Sequence, residues 1–206
     1  MEERAELSRV IYPDLFSEYD ARFLSAFVRS LPADLSDDFC ACEETWARDE
    51  YLHYVGFRIA YSALSGLSEE EIDERMEARE SEVDFRPLEA LFEDEFSVAC
   101  LVAYDELATV RAYRANAAVY EKLGPDMVDF VRRVTADEGR HYRNFFALLR
   151  DRHRDRLGDV DRVLDRIREH EGVPYGNTFV LDHDDDVWSE EIFDDAMATL
   201  RRHLHV

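Results

Sequence analysis

Asp49-Glu50-Tyr51-Leu52-His53 and Asp137-Glu138-Gly139-Arg140-His141 are the two stretches on which the fold of this chain turns. Each holds a Glu-x-x-His tetrad, and each tetrad follows an aspartate. Residues three apart share one face of a helix, so a Glu and a His at that spacing can hold one ion together. Two such helices, with one carboxylate from each of two others, complete a pair of metal sites. The repeated tetrad therefore predicts an antiparallel bundle of four helices around buried carboxylates.

Helical phase tests whether the tetrads face inward. Four residues before Glu50, and three, seven and eleven after it, stand Trp46, His53, Phe57 and Tyr61, a bulky apolar face. The same offsets from Glu138 reach Val134, His141, Phe145 and Leu149, and from Glu106 they reach Val102, Thr109, Tyr113 and Ala117. All three glutamates thus point into a core, where an uncompensated carboxylate is costly and calls for metal or protons. On the first helix, Asp20 shares its face with Phe16, Phe23, Phe27 and Leu31, whereas Glu18 lies with Asp14, Arg22, Ser25 and Arg29. Phase therefore prefers Asp20 as the sixth ligand, with Glu18 as the alternative.

Sparse glycine and proline, seven and five in 206 residues, leave long helices between clear stops. The pattern predicts helices over about 14–31, 37–64, 68–82, 87–123 with a break near 93–96, 125–157, 159–170 and 189–203. Ser68 with Glu71 reads as a capping box, and Ser65-Gly66, Gly124-Pro125 and Gly158 read as terminators. The expected unit is one all-α domain over residues 1–206, with a bundle core at about 14–157 and a helical extension at about 159–206. Short helices decorate the crossover and the C-terminus. Glu106 follows Glu50 by 56 residues and precedes Glu138 by 32, which suits a long crossover and then a short turn.

The formal net charge is −23, and a single lysine, Lys122, stands among the 25 basic residues. That field disfavours nucleic acid and anionic membrane surfaces as partners. No apolar run is long enough to cross a bilayer, and the charged start MEERAELSRV lacks the apolar stretch of a signal peptide, so a soluble cytoplasmic protein is expected. Cys40, Cys42 and Cys100 lack both disulfide and CxxC spacing and read as reduced thiols. The run Asp182-His183-Asp184-Asp185-Asp186 reads as a solvated loop.

Several segments resemble the acyl-carrier-protein desaturases of the ferritin-like di-iron superfamily. Thr135-Ala136-Asp137-Glu138-Gly139-Arg140-His141 is similar to that family's A-A-D-E-K-R-H helix, and Glu106-Leu107-Ala108-Thr109 to its E-R-A-T. Trp46 stands four residues before Glu50, as the family's tryptophan does before its first tetrad, and Val173-Pro174 and the segment from Asp184 to Arg201 resemble its C-terminal region. The resemblance implies a ferritin-like four-helix bundle with Glu50, His53, Glu106, Glu138 and His141 as ligands to two iron ions. It implies Asp137 as the acceptor that orients His53, with Asp49 in the same role for His141. Thr109 would stand beside the dioxygen site, and Trp46 could assist electron delivery. A direct overlay puts Glu18 at the first ligand position, so Asp20 and Glu18 both stay open.

Mixed carboxylate and imidazole ligands suit iron or an iron–manganese pair, and open positions beside them suit O2 as co-substrate. The expectation is an O2-dependent oxidase or oxygenase acting on a C–H bond of an acyl chain or small organic molecule, by desaturation or hydroxylation. Phe57, Tyr61, Tyr113 and Phe145 would line its pocket. The resemblance further implies an external electron donor such as a ferredoxin, a homodimer, and a carrier-bound substrate, which so acidic a chain would accept only if the arginine-rich stretch from Arg150 to Arg168 forms a local docking face. A ferroxidase that handles iron without an organic substrate is the alternative. A radical-generating reductase subunit would carry a tyrosine where this chain has Phe57.

Overall fold

The computed structural model describes residues 2–31, 34–171 and 189–204, with side chains from residue 7 onward. The Val173-Pro174 dipeptide, the Asp182–Asp186 run and His205 lie outside the described residues. Among the described residues the chain is helical, with no strand.

Four long helices do most of the packing: α1 (Glu2–Ser30), α2 (Asp37–Ser65), then, after a short α3 (Glu69–Ala78), α4 (Glu95–Ala115) and, after a single-turn α5 (Ala117–Glu121), α6 (Pro125–Asp151). Two further helices follow, α7 (Val160–His170) and α8 (Glu190–Leu204). Local chemistry sets their ends. The Ser36 hydroxyl accepts the Phe39 N–H to start α2, and Gly66 at φ 81° closes it in the left-handed conformation that glycine tolerates. Ser68 and Glu71 form the capping box that their spacing predicts, and Pro125 opens α6 after Gly124 at φ 100°.

Three boundaries differ from the sequence reading. α1 begins at Glu2 and runs through Pro13, because Leu7, Ile11 and Leu15 form a buried stripe that outweighs the hydrogen bond proline removes. The stretch expected as one helix from residue 87 divides into a 3-10 turn at Arg86–Leu91, α4 capped by Asp94, and α5 after Asn116. α6 ends at Asp151, and residues 154–159 form a separate 3-10 turn.

Cross-helix contacts set the directions. Ser25 bonds Glu43, Glu18 faces His53 and Tyr12 stacks near Tyr61, so α1 runs antiparallel to α2. Arg152 meets Asp38 and Arg140 meets Asp49, which makes α6 antiparallel to α2 as well. Ser36 bonds Glu95 and Trp46 bonds Glu106, so α2 and α4 run parallel. The end of α2 and the start of α4 therefore lie at opposite ends of the helices, and α3 with its flanking turns spans that length. α4 is buried on nearly every face, between α6 on one side and α7 and α8 on the other. α8 docks through Phe193, Met197 and Leu200, and Arg111 of α4 holds its Thr199 at 2.9 Å.

At one place α2 and α6 come unusually close. A Cβ built on Gly56 would stand 2.2 Å from the Phe130 ring, which itself packs edge-on against Phe57 at 5.1 Å. Gly56→Leu is expected to lower stability by about 1–3 kcal/mol in urea denaturation despite better helix propensity. The double variant with Phe130→Ala should lose less than the two single losses added together. Simple additivity would show that the ring is not the obstacle.

Candidate metal centre

The polar residues of the two tetrads are the least expected occupants of this core. Glu50, His53, Glu106, Glu138 and His141 are all buried, and so is Glu18. One ligand atom each from Glu18, Glu50, His53 and Glu138 lies within 4.8 Å of the others, and the same holds for Glu50, Glu106, Glu138 and His141. Glu50 and Glu138 belong to both groups, so the two constellations share a pair of carboxylates drawn from α2 and α6.

Both histidines are turned the same way. His53 Nδ1 faces Glu18 at 3.1 Å and Glu138 at 3.3 Å, while its Nε2 faces Asp137 at 3.4 Å. His141 Nδ1 faces Glu138 at 3.0 Å and both Glu106 and Glu50 at 3.3 Å, while its Nε2 faces Asp49 at 3.3 Å. Each ring thus presents Nδ1 to carboxylates inside and Nε2 to an aspartate outside. With Nδ1 given to an ion, Nε2 must carry the proton, and the aspartate is placed to accept it. Arg140 ties the two outer acids together: one arm donates to Asp137 and the other to Asp49 at 2.7 Å.

Two further groups hold the glutamates. Trp46 Nε1 donates to Glu106 Oε1 at 2.6 Å, and the buried Tyr113 hydroxyl donates to Glu18 Oε1. Sequence reasoning left out Arg140 and both of these hydrogen bonds. Arg140 lies inside the second tetrad, so its neighbourhood was the available signal, but its reach to Asp49 on another helix has none. Thr109 is half-buried one turn after Glu106.

The first-helix position corrects the phase argument. The structure brings Glu18, not Asp20, to the cluster, while Asp20 is buried against Arg79 at 2.9 Å. Phase misled because α1 is buried on two faces. Its aromatic stripe packs on the crossover, where Phe27 meets Phe85 and Phe92 and the Arg79 guanidinium covers Phe16. Its polar stripe turns to the centre and is satisfied there by partners on other helices: Asp14 by Tyr120, Glu18 by Tyr113, and Ser25 by Glu43. The expected pocket also shifts. Phe57 and Phe145 are fully buried packing residues, and of the four expected lining residues only Tyr113 borders the apolar cavity between α4, α5 and α6.

Electrostatics follow from burial. Burial and the neighbouring Glu138 and Glu18 push Glu50 well above the usual carboxylate range, and burial with Glu138 nearby pushes Glu106 up to about 8. Burial would raise Glu138 too, but the imidazoles of His141 and His53 beside its carboxylate outweigh that and hold it low. Burial disfavours charge on both imidazoles, yet Glu18 and Glu138 around His53, and Glu106, Glu138 and Glu50 around His141, raise them far above the ordinary value. Without an ion, Glu50, Glu106 and both imidazoles therefore favour their protonated forms.

Asp14 makes a separable pH prediction. Burial pushes its carboxyl up to about 8 while Tyr120 donates to it at 2.9 Å. A raised acid is protonated in the fold and ionised when unfolded, so stability falls as pH rises from about 4 to about 8. Asp14→Asn should flatten part of that slope in melts between pH 5 and pH 9. An unchanged slope would remove Asp14 as a contributor.

Comparison with protein-family models, with curated proteins and with solved structures finds no match to this chain.

Proposed function

We propose that this chain is a ferritin-like four-helix bundle that holds two metal ions, iron or an iron–manganese pair, and oxidises a C–H bond of a small organic substrate with O2. The observation that carries the reading is the doubled, overlapping constellation of four glutamates and two histidines. Buried Glu50 Oε1 and Glu138 Oε1 accept no hydrogen bond, although each lies 3.3 Å from a histidine Nδ1. Orphaned carboxylate oxygens facing imidazole nitrogens fit a cation, and an oxygen-rich set with one imidazole per position suits iron and manganese. Glu18 and His53 would hold one ion and Glu106 and His141 the other, with Glu50 and Glu138 shared. When bound, such a pair supplies the electrons with which dioxygen is activated.

The protein's own groups do the rest. Asp137 and Asp49 accept hydrogen bonds from the Nε2–H groups and so fix each ring, and Arg140 donates to both acids and holds them in place. Burial makes the same point electrostatically: it pulls Asp49 upward, but hydrogen bonds from Arg140, His141 and Arg48 hold it below the usual carboxylate range. Trp46 and Tyr113 restrain one glutamate at each position. Phe57, Val134, Phe145 and Leu149 exclude water around them. Asp137, Trp46 and Thr109 remain the residues to which we assign supporting roles in turnover, with an external reductant as electron donor.

Anaerobic Fe(II) loading followed by metal analysis, and then by O2 with optical and Mössbauer spectroscopy, tests the reading. The expected result is roughly two ions per chain with spin-coupled ferric iron after oxygen. A chain that takes up no stoichiometric metal would sink it. The iron-handling alternative predicts oxidation of many Fe(II) equivalents per chain. An apolar cavity beside Tyr113 favours an organic substrate.

A further inference from the structure

A cavity of about 350 Å³ opens between α4, α5 and the first half of α6. Its wall is mainly apolar, from Ala117, Val128, Val131 and the ring of Tyr113, and Arg114 and Arg132 also line it beside a single acid, Glu121. Its size falls within the range of small-molecule pockets, roughly 300–1,000 Å³. Two arginines line the space with one carboxylate, and Asp129 outside the lining pairs with Arg132 at 3.0 Å, so the acid excess of the whole chain, net charge −23, is absent here. Arg132 is three-quarters exposed beside Asp129, so its guanidinium retains donors to offer. At the inner end Tyr113 forms both the cavity wall and the hydrogen bond to Glu18, and it stacks on Phe57 at 6.0 Å. Tyr113 thus touches both this space and the metal centre.

We propose that this cavity is the substrate site, and that its ligand is a small aliphatic carboxylate. The carboxylate sits at Arg114 and Arg132, and the chain lies along Ala117, Val128 and Val131 toward Tyr113. Guanidinium groups favour carboxylates through paired, charge-assisted hydrogen bonds, and the apolar wall takes the alkyl chain. The assignment of this ligand as substrate rests on the oxidase reading, but its binding does not.

Octanoate titrated calorimetrically into the metal-loaded protein tests the site, with octan-1-ol as the control for the head group. The expected result is saturable octanoate binding that Ala117→Trp, at an exposed lining position, abolishes while metal per chain is unchanged. Arg114→Glu with Arg132→Glu should weaken octanoate about tenfold or more and leave octan-1-ol little affected. Absence of binding to the wild-type chain, equal binding to Ala117→Trp, or octan-1-ol binding as tightly as octanoate would each overturn the proposal. Octanoate binding by wild-type protein that takes up no stoichiometric metal on Fe(II) loading would sink the oxidase reading alone and support the cavity assignment.

Discussion

Glu138→Gln is expected to abolish metal binding altogether, while Glu18→Gln keeps one of roughly two ions per chain. Glu138 sits between both imidazoles, 3.3 Å from His53 Nδ1 and 3.0 Å from His141 Nδ1, and belongs to both constellations. Glu18 belongs to one. Glutamine keeps the volume of the side chain and removes its charge, so the helices can still pack and the loss reads on the ligand. Circular dichroism confirms the fold in each case. Asp20→Asn supplies the opposite control: Asp20 pairs with Arg79 and is outside the cluster, so that variant should load as wild type and melt at a lower temperature. Undiminished loading of Glu138→Gln, or loss of an ion on Asp20→Asn alone, would refute the ligand assignment.

Metal should raise the melting temperature by about 10 °C or more, and the gain should widen from pH 6 to pH 9. The sign follows from the cluster. Glu50 and Glu106 have raised carboxyls, so their protonated forms favour the fold, and that stability is lost as pH climbs above the ordinary carboxylate range, for Glu106 through about 8. Both imidazoles are raised as well, and their contribution is fully present below the ordinary histidine value and lost as pH rises. Glu138 is depressed and acts in the opposite direction, but only below the ordinary carboxylate range. The metal-free protein therefore weakens across pH 6–9, whereas bound ions replace the protons. Calorimetry in buffers of different ionisation enthalpy should accordingly show proton release on loading. A pH-independent gain in melting temperature would contradict the proton-filled cluster.

The helical class and most helix ends were legible because they are local. Caps such as Ser36 and Ser68, stops such as Gly66 and Gly124, and a 3.6-residue apolar period act within a few residues of themselves. Phase placed Glu50, Glu106 and Glu138 on inward faces, and the structure buries all three. The same reasoning failed on α1 because it assumes one buried face per helix. Once the crossover covers the aromatic side of that helix, the polar side becomes the inner one, and a stripe that looked solvated is paired with Tyr113, Tyr120 and Glu43.

By itself, then, the sequence determined a helical chain, the inward direction of three glutamates and two histidines, and the chemical type of site that they can form. Those properties depend on spacing along one helix. Only the tertiary structure decided that Glu18 completes the cluster, that Arg140 joins Asp49 to Asp137, that Trp46 restrains Glu106, and that the cavity lies beyond Tyr113. Each of these depends on the rotation and separation of two helices far apart in sequence, which packing sets and periodicity does not encode.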